Sequence, residues 1–193
     1  MSMPVPSRPS GFRLGSGDAS VQIEVFIDLE CPFSKKAWPT VWAIANHYEG
    51  DRVGITAHPI VLCDHRQSWD MTKAVVAIAA DDPLRAWQFM SHLYQHQADY
   101  AQDAFDNKTR SDLRQLVKDL VAKFDPALST SDLAEQISNE EGSVASRAKA
   151  SVRYAISRGV WSTPTVFING SPVPQLESSS TSGDWQSIID PML

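Results

Sequence analysis

The stretch VQIEVFIDLECPFSKKAWPTVWAIANH, residues 21–47, gives the clearest indication of how this chain folds. Its first part, Val21–Ile27, is β-branched and aromatic, which predicts a strand with apolar side chains on both faces. Its second part, Lys35–His47, carries apolar residues at helical spacing and predicts a helix, which Pro39 should kink. Arg52–Leu62 follows as a second strand. Strand, helix and strand form a βαβ unit, so the two strands should run parallel with a right-handed crossover.

The pattern beyond this unit is helical over about 69–159 and then returns to strand. The second strand region begins at Thr165–Ile168, and Asn169-Gly170 predicts a tight hairpin. The returning strand contains prolines and therefore belongs at a sheet edge. Asp184 is predicted to cap a short terminal helix. The predicted order is β-α-β, a helical block, and β-β-α.

Length and composition describe one globular domain. The chain has 193 residues, 42% hydrophobic and 21% charged, which excludes wholesale disorder. We predict a flexible arm at 1–17, rich in Pro, Ser and Gly, and a single domain at 18–193. The net charge is −6 and no basic stripe occurs, so neither nucleic acid nor a membrane is an expected partner. The sequence shows no secretory signal and no apolar run near the roughly 18 residues of a membrane helix, which favours a cytoplasmic location.

The cysteines and histidines do not form a metal-binding pattern. Cys31 and Cys63 are too few for a disulfide-stapled scaffold or a cysteine-based zinc site. His92 and His96 are four apart on a predicted helix, but no third ligand stands nearby in sequence. We interpret them as a packing or solvated pair and predict no metal site.

Cys31 stands where the first strand gives way to the first helix. Free N–H groups and the helix dipole at this position stabilise a thiolate, which is the reactive form of cysteine. The two lysines that follow add positive charge, whereas Asp28 and Glu30 oppose the effect. A lone cysteine is often a small buried hydrophobe. Its placement at a strand-to-helix junction favours a nucleophilic role.

The predicted topology brings three segments to one rim of the sheet. The first two strands run parallel and therefore end at the same edge, where Thr165–Ile168 should begin. Cys31, the segment Cys63–His65 and the Thr163-Pro164 turn are expected to converge there. Open α/β sheets bind ligands at such rims.

Two motifs together resemble the DsbA-like branch of the thioredoxin superfamily. They are FIDLECPFSKK, followed by a proline inside the helix, and GVWSTPTVFING after the helical block. The resemblance spans nearly the whole chain. It implies an α/β thioredoxin-like fold with a large helical insertion between the second and third of the predicted strands. In this branch the first motif is normally CPxC, and a cis-proline in the second faces the catalytic sulfur.

The resemblance also implies roles for individual residues. Cys31 matches the attacking cysteine, and Pro32 and Phe33 match the variable dipeptide. Pro164 matches the cis-proline. Thr163 matches the residue whose backbone pairs with an extended substrate or with glutathione.

Two positions depart from the pattern of this branch. Ser34 replaces the second cysteine of CPxC, so the motif contains a single thiol. A mixed disulfide formed on Cys31 cannot be resolved by a second thiol within the motif. Val25 replaces a carboxylate that many thioredoxins place six residues before the attacking cysteine. Ser34 is expected to cap the helix or to hydrogen-bond the Cys31 thiolate.

Three further residues are assigned with alternatives. Trp161 is expected to wall a substrate groove together with Phe33, or else to be part of the core. Cys63 is interpreted as structural, with a substitute resolving role as the alternative. His65 is interpreted as a loop residue, with tuning of Cys31 as the alternative.

The leading functional prediction is a DsbA-like thiol–disulfide oxidoreductase acting through Cys31 in disulfide exchange, isomerisation or deglutathionylation. Its partners would be protein or peptide thiols and disulfides. No cofactor is required, and glutathione is a candidate co-substrate. The alternatives are a kappa-like glutathione transferase or isomerase, and a redox-inactive module that binds peptides with a thioredoxin fold.

Overall fold

The computed structural model describes Pro6 and residues 8–193. Within these residues the sheet has five strands, in the spatial order β1-β3-β2-β4-β5. Their bounds are β1 (Phe12–Leu14), β2 (Val21–Asp28), β3 (Val53–Ile60), β4 (Thr165–Ile168) and β5 (Ser171–Pro172). β2 and β3 are parallel and the other neighbouring strands are antiparallel. The predicted βαβ unit and the predicted hairpin are therefore confirmed.

The part of the chain that the structure describes contains eight α-helices. Their bounds are α1 (Pro32–His47), α2 (Ser68–Ala79), α3 (Pro83–Gln95), α4 (Gln97–Tyr100), α5 (Arg110–Phe124), α6 (Thr130–Ser138), α7 (Ser143–Ser157) and α8 (Ser182–Ile189). Helices α2 to α7 form the insertion between β3 and β4, close to the predicted range of about 69–159. None of the helices described is both long and apolar enough to cross a membrane.

The predicted arm at 1–17 is wrong for Phe12–Leu14, which form the edge strand β1. Phe12 lies opposite Ala57 of β3, and its carbonyl oxygen accepts a hydrogen bond of 2.9 Å from Trp87 Nε1. Residues 1–5 and 7 lie outside the described residues. The domain therefore begins before residue 18. The strand β1 is too short to be recognised from its own sequence, and its pairing with β3 and its contact with α3 make it part of the sheet.

Apolar side chains on both faces of β2 are covered, as the sequence predicts. Val25 and its neighbours on one face pack into the main core, to which α1 contributes Trp38. Phe26 on the other face packs against Phe167 of β4 and Ala155 of α7. Each fully buried large apolar side chain contributes about 1.5–3 kcal/mol, so both layers hold the sheet in place.

Side-chain caps mark the first residues of two helices, α3 and α8. Asp82 accepts hydrogen bonds from the backbone N–H groups of the first turn of α3, with Pro83 at the first helical position. The prediction for α8 is wrong by one turn. Thr181 is the N-cap there, and Asp184 closes a reciprocal capping box with it from the third helical position.

A buried lysine joins the helices of the insertion. Lys73 of α2 is 0% exposed. Its Nζ lies 2.7 Å from Asp70 Oδ1, 2.8 Å from Glu140 Oε1 and 2.7 Å from the Ile137 carbonyl oxygen. These contacts tie α2 to the end of α6 and to the loop that follows it.

Candidate active site

Cys31 is the N-cap residue of α1, and Pro32 follows at the first helical position. The Cys31 side chain is 3% exposed, and its thiol donates to the Thr163 carbonyl oxygen at 3.3 Å. The Thr163–Pro164 peptide bond is cis. The two sequence motifs therefore meet at the sulfur atom, at the rim where the topology was expected to bring them together.

Ser34 does not make the contacts expected from the sequence. Its hydroxyl is 0% exposed and accepts a hydrogen bond of 3.2 Å from the backbone N–H of Asp28. Among the hydrogen bonds of the described residues, it neither caps α1 nor reaches Cys31 Sγ. At the third helical position its side chain points into the protein, towards the end of β2. Ser34 therefore connects the first turn of α1 to the end of β2 through this hydrogen bond.

Two polar side chains of α4, Gln97 and Tyr100, fix the backbone that leads into Cys31. Gln97 Nε2 donates to the Leu29 carbonyl oxygen at 2.9 Å and to the Cys31 carbonyl oxygen at 3.1 Å. The Tyr100 hydroxyl donates to the Leu29 carbonyl oxygen at 3.0 Å. Burial, reinforced by nearby carboxylates, raises the pKa of Tyr100 well above its ordinary value, so this donor keeps its proton. The helical insertion thus immobilises the turn before the nucleophile.

The Asp28 carboxylate is a buried hub beneath the same turn. It accepts hydrogen bonds from the Glu30 backbone N–H at 2.8 Å, the Leu62 backbone N–H at 2.7 Å and Ser68 Oγ at 2.6 Å. His65 Nδ1 lies 3.1 Å from Asp28 Oδ1. This distance is short enough for an ion pair, but the imidazole nitrogen has no well-aligned hydrogen bond. The interaction is therefore electrostatic. One carboxylate therefore connects the end of β2, the loop after β3 and the start of α2.

Two ionisable groups near this hub have shifted pKa values. The contact with Asp28 raises the pKa of His65 above its ordinary value, against the opposing effect of burial. Burial raises the pKa of Glu30, whose Oε2 accepts a hydrogen bond of 3.0 Å from the Gln67 backbone N–H. Its other carboxylate oxygen is buried without a partner among the described residues. The ionisable groups of the site, Glu30 and His65, therefore lie around Asp28. Position 25, where many thioredoxins have a carboxylate, is occupied by a valine.

The segments that carry Cys31 and Pro164 both expose aromatic side chains. Phe33 is 61% exposed and Trp161 is 85% exposed, which rules out the alternative of Trp161 as a core residue. Thr163 is buried, while Pro164 is partly accessible. The sulfur is thus recessed between two segments that present apolar surface to solvent.

Cys63 is free and exposed, so it is not a core residue. It lies in an open groove of about 420 Å³ between the loop after β3 and α7. The groove is lined by Val61, Leu62, Cys63, His65, Arg66, Trp69, Lys149, Val152 and Arg153. Within the described residues, no group of three or more His, Cys, Asp and Glu side chains could hold a metal ion.

Sequence reasoning missed most of the support beneath Cys31. Asp28 was weighed as a charge that opposes the thiolate, and its role as an anchor was not predicted. Gln97, Tyr100 and Ser68 gave no signal in the sequence, because they are distant from Cys31 along the chain and reach its turn only through tertiary packing. Val25, which replaces the expected carboxylate, is fully buried in the main core.

Comparison with known proteins agrees with this geometry. A family model described as thioredoxin matches residues 7–191, so the chain belongs to the thioredoxin family. No curated protein sequence matches significantly.

Several solved structures share the fold of this chain. The chain is similar to a candidate protein-disulfide isomerase from Pseudomonas syringae, with 22% identity and a TM-score of 0.77 over 93% of this chain and 97% of that one. It is similar to oxidised BdbD from Bacillus subtilis, with 21% identity and a TM-score of 0.74 over 94% and 92% of the two chains. The thiol-disulfide exchange protein α-DsbA2 from Wolbachia pipientis matches with 15% identity and a TM-score of 0.71 over 95% and 87%. The predicted thioredoxin-like fold with a helical insertion is therefore confirmed.

Proposed function

We propose that this protein is a thiol–disulfide oxidoreductase that uses Cys31 as its single active-site nucleophile. The observation that carries the proposal is the position of Cys31 Sγ, at the start of α1 and 3.3 Å from the Thr163 carbonyl oxygen. A helix N-terminus favours the thiolate form of cysteine. Two structures of the same fold are described as a candidate protein-disulfide isomerase and a thiol-disulfide exchange protein, which supports the same class of chemistry here.

The first half-reaction is attack on a substrate disulfide. The Cys31 thiolate attacks one sulfur, so that a bond between Cys31 and that sulfur forms while the substrate S–S bond breaks. The other substrate sulfur leaves as a thiolate and takes up a proton. Ser34 carries no sulfur and cannot displace the bound group, so the mixed disulfide persists until a second thiol arrives.

We assign the second half-reaction to an external thiol, with glutathione as the co-substrate. Its thiolate attacks the sulfur bound to Cys31 and forms a new disulfide with it, while Cys31 leaves as the regenerated thiolate. No other cofactor takes part in this scheme. Disulfide exchange, isomerisation and deglutathionylation differ in which disulfide Cys31 attacks and which thiol resolves it.

The exposed surface around the sulfur suits protein or peptide substrates. Phe33 and Trp161 flank the buried thiol on separate segments and expose most of their apolar area. An extended peptide lying across Pro164 could bury these aromatic rings, while its backbone pairs with that of Thr163. Aromatic side chains contribute strongly to binding when they are buried in this way.

A redox-inactive peptide-binding module is the second candidate. It is favoured by the burial of Cys31, whose thiol is 3% exposed and donates its proton to a backbone carbonyl. A thiol that remains protonated there would serve packing alone.

Mass spectrometry after exposure to oxidised glutathione separates the two candidates. The parent protein, Cys31→Ser and Cys63→Ser are incubated with oxidised glutathione, and the adducts are mapped. We expect an adduct on Cys31 in the parent and in Cys63→Ser, followed by its removal with reduced glutathione and by multiple turnovers on a peptide disulfide. A folded protein in which Cys31 stays unmodified would overturn the oxidoreductase and leave the binding module.

A further inference from the structure

Asp28 and His65, which lie near the turn before Cys31, take no part in the exchange reaction described above. Asp28 is fully buried, and its carboxylate oxygens face two backbone N–H groups, one hydroxyl and one imidazole. The N–H and hydroxyl groups are hydrogen-bond donors, and a carboxylate offers them only acceptors. A negative charge is therefore held beneath the nucleophile.

The Asp28 backbone is hydrogen-bonded to the residue that carries the nucleophile and to a buried tyrosine. The Cys31 N–H donates to the Asp28 carbonyl oxygen at 3.2 Å, and the Tyr94 hydroxyl donates to the same oxygen at 3.1 Å. Burial raises the pKa of Tyr94 well above its ordinary value, and the neighbouring Tyr100, Asp28 and Cys31 add to this rise. The thiol and the carboxylate thus act on one buried hydroxyl. A charge on Asp28 opposes formation of a second charge on Cys31.

His65 is positioned to compensate the charge on Asp28. Its Nδ1 lies 3.1 Å from Asp28 Oδ1, and 14% of its side chain is exposed. The imidazole therefore touches the carboxylate on one side and reaches solvent through the groove beside Cys63. Protons can enter and leave this group while Asp28 itself stays buried.

We propose that His65 is a positioning residue for Cys31, and that its protonated form supports the thiolate by neutralising Asp28. The proposal rests on the proposed function, since it concerns the reactivity of the same sulfur. When His65 loses its proton, the unpaired charge on Asp28 disfavours the thiolate. His65 acts through Asp28 and does not touch the reacting atoms.

The surroundings of His65 include both acidic and basic groups. They are Asp28 and Glu30 from the turn before α1, Cys63, Asp64 and Arg66 from its own loop, Tyr94 and Tyr100 facing Asp28 from α3 and α4, and Lys149 and Arg153 from α7 across the groove. Asp28, Asp64 and Glu30 raise the pKa of His65, while its partial burial lowers it. The net direction is upward, so the protonated state extends above the ordinary histidine range near pH 6.5.

Two substitutions at the same position separate charge from structure. The rate of Cys31 alkylation is measured against pH in full-length protein carrying Cys63→Ser, so that one thiol reports. His65→Gln removes the charge and keeps a polar side chain of similar size, and His65→Lys keeps a positive charge at every pH used. We expect His65→Gln to move the midpoint of the profile to higher pH by about half a unit or more, as for the loss of a nearby opposite charge. His65→Lys should keep the midpoint at or below that of the parent.

A second measurement tests whether the effect passes through Asp28. In the background Asp28→Asn, the substitution His65→Gln should no longer shift the midpoint. Nuclear magnetic resonance titration of the His65 imidazole, which does not depend on Cys31, should show a higher midpoint in the parent than in Asp28→Asn. If Asp28→Asn does not fold, the pair His65→Gln and His65→Lys decides the matter.

The outcomes keep this proposal apart from the proposed function. An unreactive Cys31 in the parent would overturn both. A reactive Cys31 whose profile is the same in the parent, in His65→Gln and in His65→Lys would overturn the role of His65 alone. Equal shifts in the His65→Gln and His65→Lys proteins would also overturn it, because a purely structural role predicts that result.

Discussion

Replacing Ser34 by cysteine tests the monothiol mechanism from the structure itself. Helix geometry places Cα atoms three residues apart at about 5 Å from each other, and disulfides join Cα atoms about 4.4–6.8 Å apart, so a cysteine introduced by Ser34→Cys can bridge to Cys31. Ser34→Cys loses the acceptor that now receives the Asp28 N–H at 3.2 Å. A typical hydrogen bond contributes about 0.5–1.5 kcal/mol, so the melting temperature of the reduced variant should fall by about 2–4 °C for each kcal/mol lost.

Turnover should change in the opposite direction to stability. An internal thiol resolves the mixed disulfide at an effective concentration far above that of free glutathione, so the rate of peptide-disulfide reduction should rise about tenfold or more. The assay follows a peptide disulfide at fixed reduced glutathione, and mass spectrometry maps the bridge. Ser34→Ala is the matched control, since it also loses the hydrogen bond but should gain no turnover. A Ser34→Cys protein that forms the bridge without faster turnover would contradict a resolving role for the new thiol. An internal disulfide in the parent protein would show that Cys31 pairs with Cys63.

Other predictions concern the supports of the site. Lys73→Met should lower the free energy of unfolding in urea by about 3–5 kcal/mol because it leaves buried Asp70 without its buried partner; a loss below about 1 kcal/mol would contradict the burial argument. Glu140 is partly buried, which opposes ionisation, yet hydrogen bonds from Lys73 and Arg110 lower its pKa from 4.5 to about 2. Stability should therefore fall as the pH drops from 4.5 to 2, and Glu140→Gln should flatten that slope, as followed by thermal melts. Gln97→Leu removes two hydrogen bonds to the turn before the nucleophile and should lower the unfolding free energy by about 1–3 kcal/mol; an unchanged urea midpoint would argue against the clamp.

Much of the fold could be predicted from local patterns. The predicted helix Lys35–His47 lies within α1, and Thr165–Ile168 matches β4, because both have a clear apolar pattern and sharp boundary residues. The edge strand Phe12–Leu14 could not be recognised in the same way. It is three residues long and lies among Gly, Pro and Ser, and what makes it a strand is its pairing with β3 and its hydrogen bond from Trp87.

Some residues of the candidate site could likewise be predicted from the sequence, and others could not. Cys31, Thr163 and Pro164 belong to short motifs, and the strand order alone brings these motifs together. The anchors Gln97 and Ser68 lie in other elements, and their side chains meet the turn through tertiary packing that has no sequence period. Sequence reasoning also directed attention to position 25, whereas the buried carboxylate stands three residues further on, at Asp28.

The proposed role of Cys31 is tested by comparing the two thiols one at a time. Alkylation rates at neutral pH are measured in Cys63→Ser, which retains Cys31, and in Cys31→Ser, which retains Cys63. Cys31 is buried beside Thr163 and Cys63 is exposed, so accessibility alone predicts faster reaction at Cys63. We predict the reverse, because Cys31 stands at a helix N-terminus that stabilises its thiolate. Faster reaction at Cys63, with Cys31 reacting only above about pH 8–9 like an ordinary thiol, would contradict a nucleophilic Cys31.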